Sequence, residues 1–324
     1  MSEHFISNIE IKNFKCFKDF KAEGFGRVNL IGGKNNVGKT AFMEACFFLG
    51  FCYKKEIDLQ TIVVSLMYIE SLRYDNTNNI SHIKSTDILS LLKKFTNMNI
   101  RAENSSNIFS FEIKDKSFQS LVKVNDGDYE PLFFNEGSLF ELYNFEHFIS
   151  SYAIGKNLIV SLYDKIKEKR KREKLNKILN QFDKNILEFD IINNKPQVFL
   201  NDIKDFKNIS ELGHGLKRYI TIISSILINK DGLLFLDEIE NGIHYSNLDK
   251  LWKIILTLSK EQNVQVFATT HSEECIESYA RVAKELEDEE IKFIELFKHE
   301  EKIKTIVLDN AMLELQLKQN HEVR

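Results

Sequence analysis

The sequence is short of proline and cysteine, and these shortages limit the linkers and the metal sites that it could contain. With two prolines in 324 residues, long proline-rich linkers are absent, and no Gly/Ser-rich stretch or fixed-period repeat marks a boundary. The cysteines lack the spacing of metal ligands, and each lies in or beside an apolar run: Cys16, Cys46, Cys52 and Cys275. A free thiol in such a place behaves as a small hydrophobic residue, so we predict reduced, structural cysteines.

Long apolar runs and an excess of positive charge are also missing. No run reaches the roughly 18 residues of a membrane span, and no signal-peptide pattern opens the chain. The formal net charge of −4 gives no overall basic character for nucleic acid, although a local basic patch stays open. A chain with 43% hydrophobic residues can bury a substantial core. We therefore expect a cytoplasmic protein with no membrane partner.

Apolar periodicity alternates between strand and helix patterns along the chain. It predicts strands at 5–12, 27–31, 108–114, 119–124, 187–192, 197–200, 232–236, 264–269, 292–297 and 304–308. It predicts helices at 40–49, 139–181, 212–228, 246–260 and 273–285. Such alternation favours an α/β fold with a mainly parallel sheet, which binds ligands at the carboxyl ends of its strands. We predict one domain over residues 1–324, with a helical insertion at about 139–181.

A glycine-rich segment, GGKNNVGKT, lies between a predicted strand and a predicted helix. It fits the pattern G-x-x-x-x-G-K-[ST], whose backbone N–H groups form an anion-binding concavity that the following helix N-terminus reinforces. The predicted ATP-binding residues are Gly33, Lys34, Asn35, Asn36, Val37, Gly38, Lys39 and Thr40. Lys39 is expected to reach the β- and γ-phosphates, and the Thr40 hydroxyl to ligate Mg²⁺. A glycine-rich turn without a ligand is the alternative.

A second segment, GLLFLDEIENGIH, describes a buried strand that ends in two carboxylates. Asp237 is expected to hold Mg²⁺ through its water shell, and Glu238 to accept a proton from an attacking water as a general base. Many strands end in acidic residues, so the pattern is weak by itself. Because a phosphate-binding loop precedes it in the same chain, we predict a catalytic role.

A third segment, VQVFATTHSEECI, is another strand that ends in polar residues. His271 is then expected at the same sheet edge, where it can hydrogen-bond a γ-phosphate and the hydrolytic water. The alternative is a residue at the start of the next helix, with Ser272 as its cap.

In this order, the three segments resemble the ABC-type ATPase heads of the SMC, RecF and OLD (overcoming lysogenization defect) class. Asn35 matches the asparagine of that class's G-x-N-x-x-G-K-[ST] loop, and the resemblance also rests on IEIKNFKCFKDF, FLDEIENGIH and ATTHS. The last two are similar to its Walker B and switch-histidine segments. More narrowly, LGHGLKRYITIISSIL, LFLDEIENGIHYSNLDKLW and QVFATTHSEECI resemble bacterial standalone ATPases of the AAA_15/AAA_21 type, several of which serve antiphage systems.

The resemblance implies a P-loop NTPase fold, the ABC-type ATPase head, with an antiparallel β subdomain. It also implies a homodimer or higher homo-oligomer, in which ATP is sandwiched between one subunit's phosphate loop and the other's signature segment. The expected signature is SELGHGLKR, with Ser210, Gly213 and Gly215 acting in trans. Gly213 stands where the family has serine, so the hydroxyl is lost unless Ser210 supplies it; a glycine-containing helix start is the alternative. Gln60 is a poor candidate for the glutamine that senses Mg²⁺.

The run DKIKEKRKREKLNK holds eight Lys or Arg against three acids. It could neutralise a nucleic-acid backbone, which leaves DNA as an open partner. A solvated helix face with i,i+4 ion pairs is the favoured interpretation. The helices around it are too short for the long coiled coil of SMC proteins.

The acidic run after His271 is ELEDEE, which lacks the spaced Glu and Asp-x-Asp pattern of the TOPRIM nuclease domain in OLD proteins. We therefore expect any effector, a TOPRIM or other nuclease, to be a separate polypeptide. Three functional hypotheses follow: an ATP-driven sensor or switch in antiphage defence, a RecF-like DNA-binding ATPase in repair, and a small-molecule phosphotransferase. The third is disfavoured because no acceptor-pocket pattern is visible.

Overall fold

The computed structural model describes residues 5–52, 98–103, 108–116, 119–124, 130–131, 148–151 and 154–319. The chain divides into two compact units. The first contains Met1–Gly26, Gly33–Phe145 and Ile294–Val307, and the second contains Arg27–Gly32, Glu146–Phe293 and Leu308–Arg324. The assignment of the whole chain to a single domain stays a prediction.

Strands and helices alternate along most of the described chain. The strands are β1 (Asn8–Phe14), β2 (Phe17–Glu23), β3 (Val28–Gly32), β4 (Asn99–Glu103), β5 (Ile108–Lys116), β6 (Gln119–Val124), β7 (Glu130–Pro131), β8 (Phe148–Ile149), β9 (Ile186–Ile192), β10 (Lys195–Leu200), β11 (Asp205–Asn208), β12 (Leu233–Leu236), β13 (Gln265–Thr269), β14 (Ile291–His299) and β15 (Lys302–Leu308). The helices are α1 (Lys39–Cys52), α2 (Lys156–Glu168), α3 (Arg172–Phe182), α4 (His214–Ile228), α5 (Leu248–Gln262), α6 (Glu273–Glu285) and α7 (Asn310–Lys318). No helix among these residues has both the length and the apolar character needed to cross a bilayer.

The first unit contains an antiparallel sheet of order β2-β1-β4-β5-β6-β7. In β1, Ile9 and Ile11 are buried whereas Glu10 and Lys12 are more exposed, the alternation of a half-buried strand. Phenylalanines pack this face against α1, as in the contact of Phe20 with Phe42 at 5.7 Å between ring centroids. This sheet is the antiparallel subdomain that was predicted, and its packing supports the helix that follows the phosphate loop.

The second unit contains parallel strands in the order β3-β13-β12-β8. All residues of β3 and β13 are buried, since a parallel sheet covered on both faces excludes water from both sides of its strands. In register, Ile31 of β3 pairs with Thr269 of β13, and Leu236 of β12 pairs with Ala268. The carboxyl ends of these strands therefore meet at one edge. The mainly parallel core sheet is confirmed.

The described part of the predicted helical insertion at 139–181 contains the helices α2 and α3 and one short strand. Phe148–Ile149 forms β8, which pairs in parallel with β12 and so belongs to the sheet. In addition, α2 and α3 are not appended to the unit, because their apolar faces contribute to its core through Ile159, Leu162, Ile166, Leu175 and Leu179. Residues 139–147 and 152–153 lie outside the described residues.

The basic run of α2 and α3 makes contacts across the fold that the sequence did not predict. Lys169 donates to the carbonyl of Ile228, and Lys171 Nζ donates to the Leu227 carbonyl at 2.6 Å, both at the end of α4. Cations are favourable there because the last carbonyls of a helix carry partial negative charge. Arg172 pairs with Glu188 and Asp190 of β9. Within the run itself, Lys167 pairs with Asp164 at 2.9 Å, at i,i+3 rather than the expected i,i+4 spacing.

Candidate active site

The phosphate-loop segment connects β3 directly to α1. Its backbone takes positive φ at Gly33 (133°), Asn36 (61°) and Gly38 (101°), and left-handed residues of this kind occur in anion-binding concavities of backbone N–H groups. A Cβ at Gly33 would collide with the Leu296 carbonyl, and one at Gly38 with the Cys16 sulfur. Both glycines are therefore required by conformation and by close approach.

Lys39 is held inside its own loop. Its side chain is buried, and Nζ donates to the carbonyl oxygens of Gly33 at 2.6 Å and Lys34 at 3.0 Å. Lys34, Asn35 and Asn36 are exposed, Val37 is buried, and Thr40 lies in the first turn of α1. The predicted residues thus form a continuous loop and the first two residues of α1, with the lysine ammonium on the loop carbonyls, which suits the binding of a polyphosphate.

Asp237 lies immediately after β12 and is buried at 4% exposure. Its Oδ1 accepts a hydrogen bond from Thr269 Oγ1 at 2.8 Å, and its Oδ2 accepts one from Ser151 Oγ at 3.0 Å. Three segments therefore fix this carboxylate: the ends of β12 and β13, and the residues after β8. Ser151 and Thr269 were not predicted, although Thr269 belongs to the ATTHS segment that was singled out.

Glu238 differs from Asp237 in backbone and in exposure. Its φ is 46°, a left-handed conformation that costs a residue other than glycine about 1–3 kcal/mol. Its backbone N–H donates to Thr269 Oγ1 at 2.8 Å, and its side chain is 39% exposed. Partial burial, followed by the charge of Asp237, raises the pKa of Glu238. An accessible carboxylate with a raised pKa suits a general base.

His271 lies close to this carboxylate. Its Nε2 is 3.5 Å from Glu238 Oε1, and its backbone N–H donates to Glu240 Oε1 at 2.8 Å. The alternative also holds in part, since Ser272 caps α6 by accepting from the Cys275 N–H at 3.1 Å. His271 precedes that cap, so the start of the helix positions an imidazole beside Glu238.

The pH dependence of hydrolysis should report the environment of Glu238. A general base acts in its deprotonated form, so a raised pKa shifts loss of activity on acidification to higher pH than an ordinary glutamate would give. We expect an acid limb in kcat above pH 4.5, the ordinary pKa of this carboxyl. Phosphate release measured across pH checks this, and the limb should be absent from the residual activity of Glu238→Gln. A limb unchanged in that variant would contradict the assignment.

Arg218 of α4 is a site residue that sequence patterns missed. Its guanidinium is buried and donates to four backbone carbonyls: those of Ser150 (3.1 Å), Asp237, Glu238 (2.8 Å) and Ile239 (3.3 Å). Burial lowers the pKa of Arg218, whereas the negative charges of Asp237, Glu240 and Glu238 raise it. One side chain on α4 thus holds the turn that carries both carboxylates.

The predicted signature lies at the beginning of α4. Gly213 is the N-cap, while Ser210 is exposed in the preceding 3₁₀ turn, Ile209–Glu211. A Cβ at Gly215 would collide with the Gly242 carbonyl, so this glycine is needed for packing within the subunit. Residues 212–216 line a cavity of about 380 Å³ together with residues 242–244. The action of Ser210, Gly213 and Gly215 in trans stays a prediction. Gln60 lies outside the described residues.

Comparisons with known proteins agree with this geometry. Residues 164–277 match the family model AAA_21, described as "AAA domain, putative AbiEii toxin, Type IV TA system". An SMC head solved in complex with the C-winged helix domain of ScpA covers 97% of this chain and 99% of its own, with a TM-score of 0.57 at 14% identity. The chain has the fold of an SMC head, and its AAA_21 match together with the phosphate loop supports ATPase activity.

Three further matches cover different shares of this chain. The SMC head of Thermotoga maritima matches with a TM-score of 0.51 at 13% identity, over 94% of this chain and 98% of its own. A Helicobacter pylori protein called an ATP/GTP phosphatase is 29% identical over 86% of this chain and 89% of its own. An uncharacterised Methanocaldococcus jannaschii protein is 31% identical over 31% of this chain and 48% of its own.

Proposed function

We propose that the ATPase binds ATP on the loop from Gly33 to Thr40 and hydrolyses it with Glu238 as general base. The observation that carries this proposal is the pairing of Glu238 with His271 at 3.5 Å. Glu238 lies just after β12 and His271 just after β13. The neighbouring strand β3 ends at the same edge, and the loop follows β3 in the chain. His271 is proposed to hydrogen-bond the γ-phosphate and to orient the attacking water.

Mg²⁺ is proposed to accompany ATP. The residues fit this ion, since Asp237 offers a carboxylate whose two oxygens are oriented by hydroxyl donors, and Thr40 offers a hydroxyl. Mg²⁺ prefers oxygen ligands and usually keeps several waters while binding substrate phosphates. Thr40 would ligate the ion, which neutralises phosphate charge, and Asp237 would hold its water shell.

The active site is proposed to be completed by a second copy of the chain. Gly213 and Gly215 would present the start of α4 to the γ-phosphate of the partner's ATP, with Ser210 as a candidate hydroxyl. Support comes from the exposure of Ser210 and Gly213 and from the cavity beside them. Glycine at position 213 leaves the backbone donors in place.

At the level of the cell, we propose a cytoplasmic sensor or switch in antiphage defence that controls a separate effector, which is a TOPRIM or other nuclease. The description of the matching family as a toxin of a type IV system supports this class. Control of a separate protein is supported by the SMC head that was solved with a domain of ScpA. The contacts of Lys169 and Arg172 within the subunit count against the RecF-like DNA-binding alternative.

Phage plating tests the proposed switch. Cells carrying the gene with its neighbouring reading frames should resist phage, and both Lys39→Ala and deletion of the effector frame should abolish resistance. The matched control Lys253→Ala removes an exposed surface cation and should keep it. Equal plating on all strains would contradict the defence role. ATPase activity that rises several-fold with DNA alone would instead favour the repair alternative.

A further inference from the structure

Glu240 is a carboxylate that the proposed mechanism does not use. It lies two residues after Glu238, and its Oε1 accepts the His271 backbone N–H at 2.8 Å. Its Oε2 is buried without a hydrogen-bond partner among the residues that the structure describes. Burial of an unsatisfied carboxylate oxygen is unfavourable, so its position requires support from the surrounding structure.

The turn after Glu238 provides that support. The Asn241 N–H donates to the Glu238 carbonyl at 2.9 Å, and the Ile243 N–H donates to the Glu240 carbonyl at 2.8 Å. Asn241 Nδ2 also donates to the Ser151 carbonyl at 2.7 Å. These bonds fix the backbone of Glu240, and therefore the direction from which its carboxylate meets the segment after β13.

We infer that Glu240 is a positioning residue that holds the main chain of His271 so that the imidazole faces Glu238. The contact is to the backbone rather than to the ring, so it fixes the main-chain position of His271. Both ring nitrogens are left free of Glu240. Ser272, the next residue, caps α6 by its own side chain, and Glu240 is therefore not needed as that cap. The hydrolysis test of this inference rests on the proposed function of Glu238 and His271.

The distinguishing experiment compares three substitutions of Glu240. Glu240→Gln keeps an oxygen that can accept the His271 N–H, and it should retain kcat within about threefold. Glu240→Asp keeps the charge but withdraws the acceptor by one methylene, and Glu240→Ala removes it. Both should lower kcat by roughly 10- to 100-fold with little change in KM for ATP, because a small displacement of a catalytic group is costly. Glu277→Ala, an exposed site on α6, is the matched control.

A double-mutant comparison separates positioning from a general loss of structure. In a His271→Ala background, Glu240→Ala should lower kcat no further, since the group that it positions is gone. Melting temperatures accompany each variant, and if the alanine variant does not fold, the Gln and Asp pair decides. Equal kcat in Gln, Asp and wild type, or an additive loss with His271→Ala, overturns the inference. Failure of the proposed function is distinct, because Glu238→Gln would then hydrolyse ATP normally.

Discussion

Glu238→Gln will bind ATP as wild type does and will hydrolyse it about 10²-fold or more slowly, the lower range for loss of a general base. The amide preserves the shape of the side chain, while the backbone of residue 238 remains held by Thr269 and Arg218. Nucleotide titration and phosphate release measure the two properties separately. The matched control is Glu285→Gln, an exposed carboxylate on α6 that should leave both unchanged. Normal turnover by Glu238→Gln would remove this residue from its role.

Lys39→Ala will show the complementary result, loss of ATP binding itself. The ammonium donates to the Gly33 and Lys34 carbonyls. An incoming phosphate would replace these carbonyls as the partner of the ammonium. Without it, the loop retains its N–H donors but loses its buried positive charge. The melting temperature should rise with ATP for wild type and Glu238→Gln and stay constant for Lys39→Ala. Equal binding by wild type and Lys39→Ala would contradict the loop assignment.

ATP will drive two subunits into a closed dimer, because the proposed site is complete only when a phosphate loop faces the beginning of a partner's α4. Wild type should dimerise transiently, and Glu238→Gln should accumulate as the dimer because its ATP persists. Light scattering with and without ATP measures this. An unchanged mass of Glu238→Gln with ATP would contradict closure.

His214→Glu is the variant that should block closure while leaving ATP binding to the monomer intact. Residue 214 is exposed at the first position of α4, where a carboxylate is favourable for the helix but would face the partner's γ-phosphate. The like-charge contact should shift a transient dimer to monomer. Gly215 is unsuitable for this test because any side chain there would collide with the Gly242 carbonyl. Thr257→Glu, exposed on α5, is the matched control. If the protein is already a dimer without ATP, normal hydrolysis by His214→Glu would contradict the composite site.

Features that depend on neighbouring residues in the chain could be predicted from the sequence. The phosphate loop could be predicted because its chemistry requires a contiguous glycine, lysine and threonine pattern between a strand and a helix. Asp237, Glu238 and His271 were located for the same reason, each at the end of a short apolar strand. The parallel sheet followed from the alternation of strands and helices, and registration of these strands brings their ends to one edge.

The identity of the distant residues that support that edge follows from packing between elements and could not be predicted. Ser151 reaches Asp237 across 86 positions in sequence, and Arg218 reaches the carbonyl of Ser150 across 68. Lys169 is exposed, as the predicted solvated face requires, but its ammonium also donates to a carbonyl at the end of α4, 59 residues away. No periodicity in the sequence encodes such contacts, because hydrogen bonds between separate elements depend on how packing orients them. A local pattern therefore identifies the proposed reacting groups, whereas packing selects the groups that hold them in place.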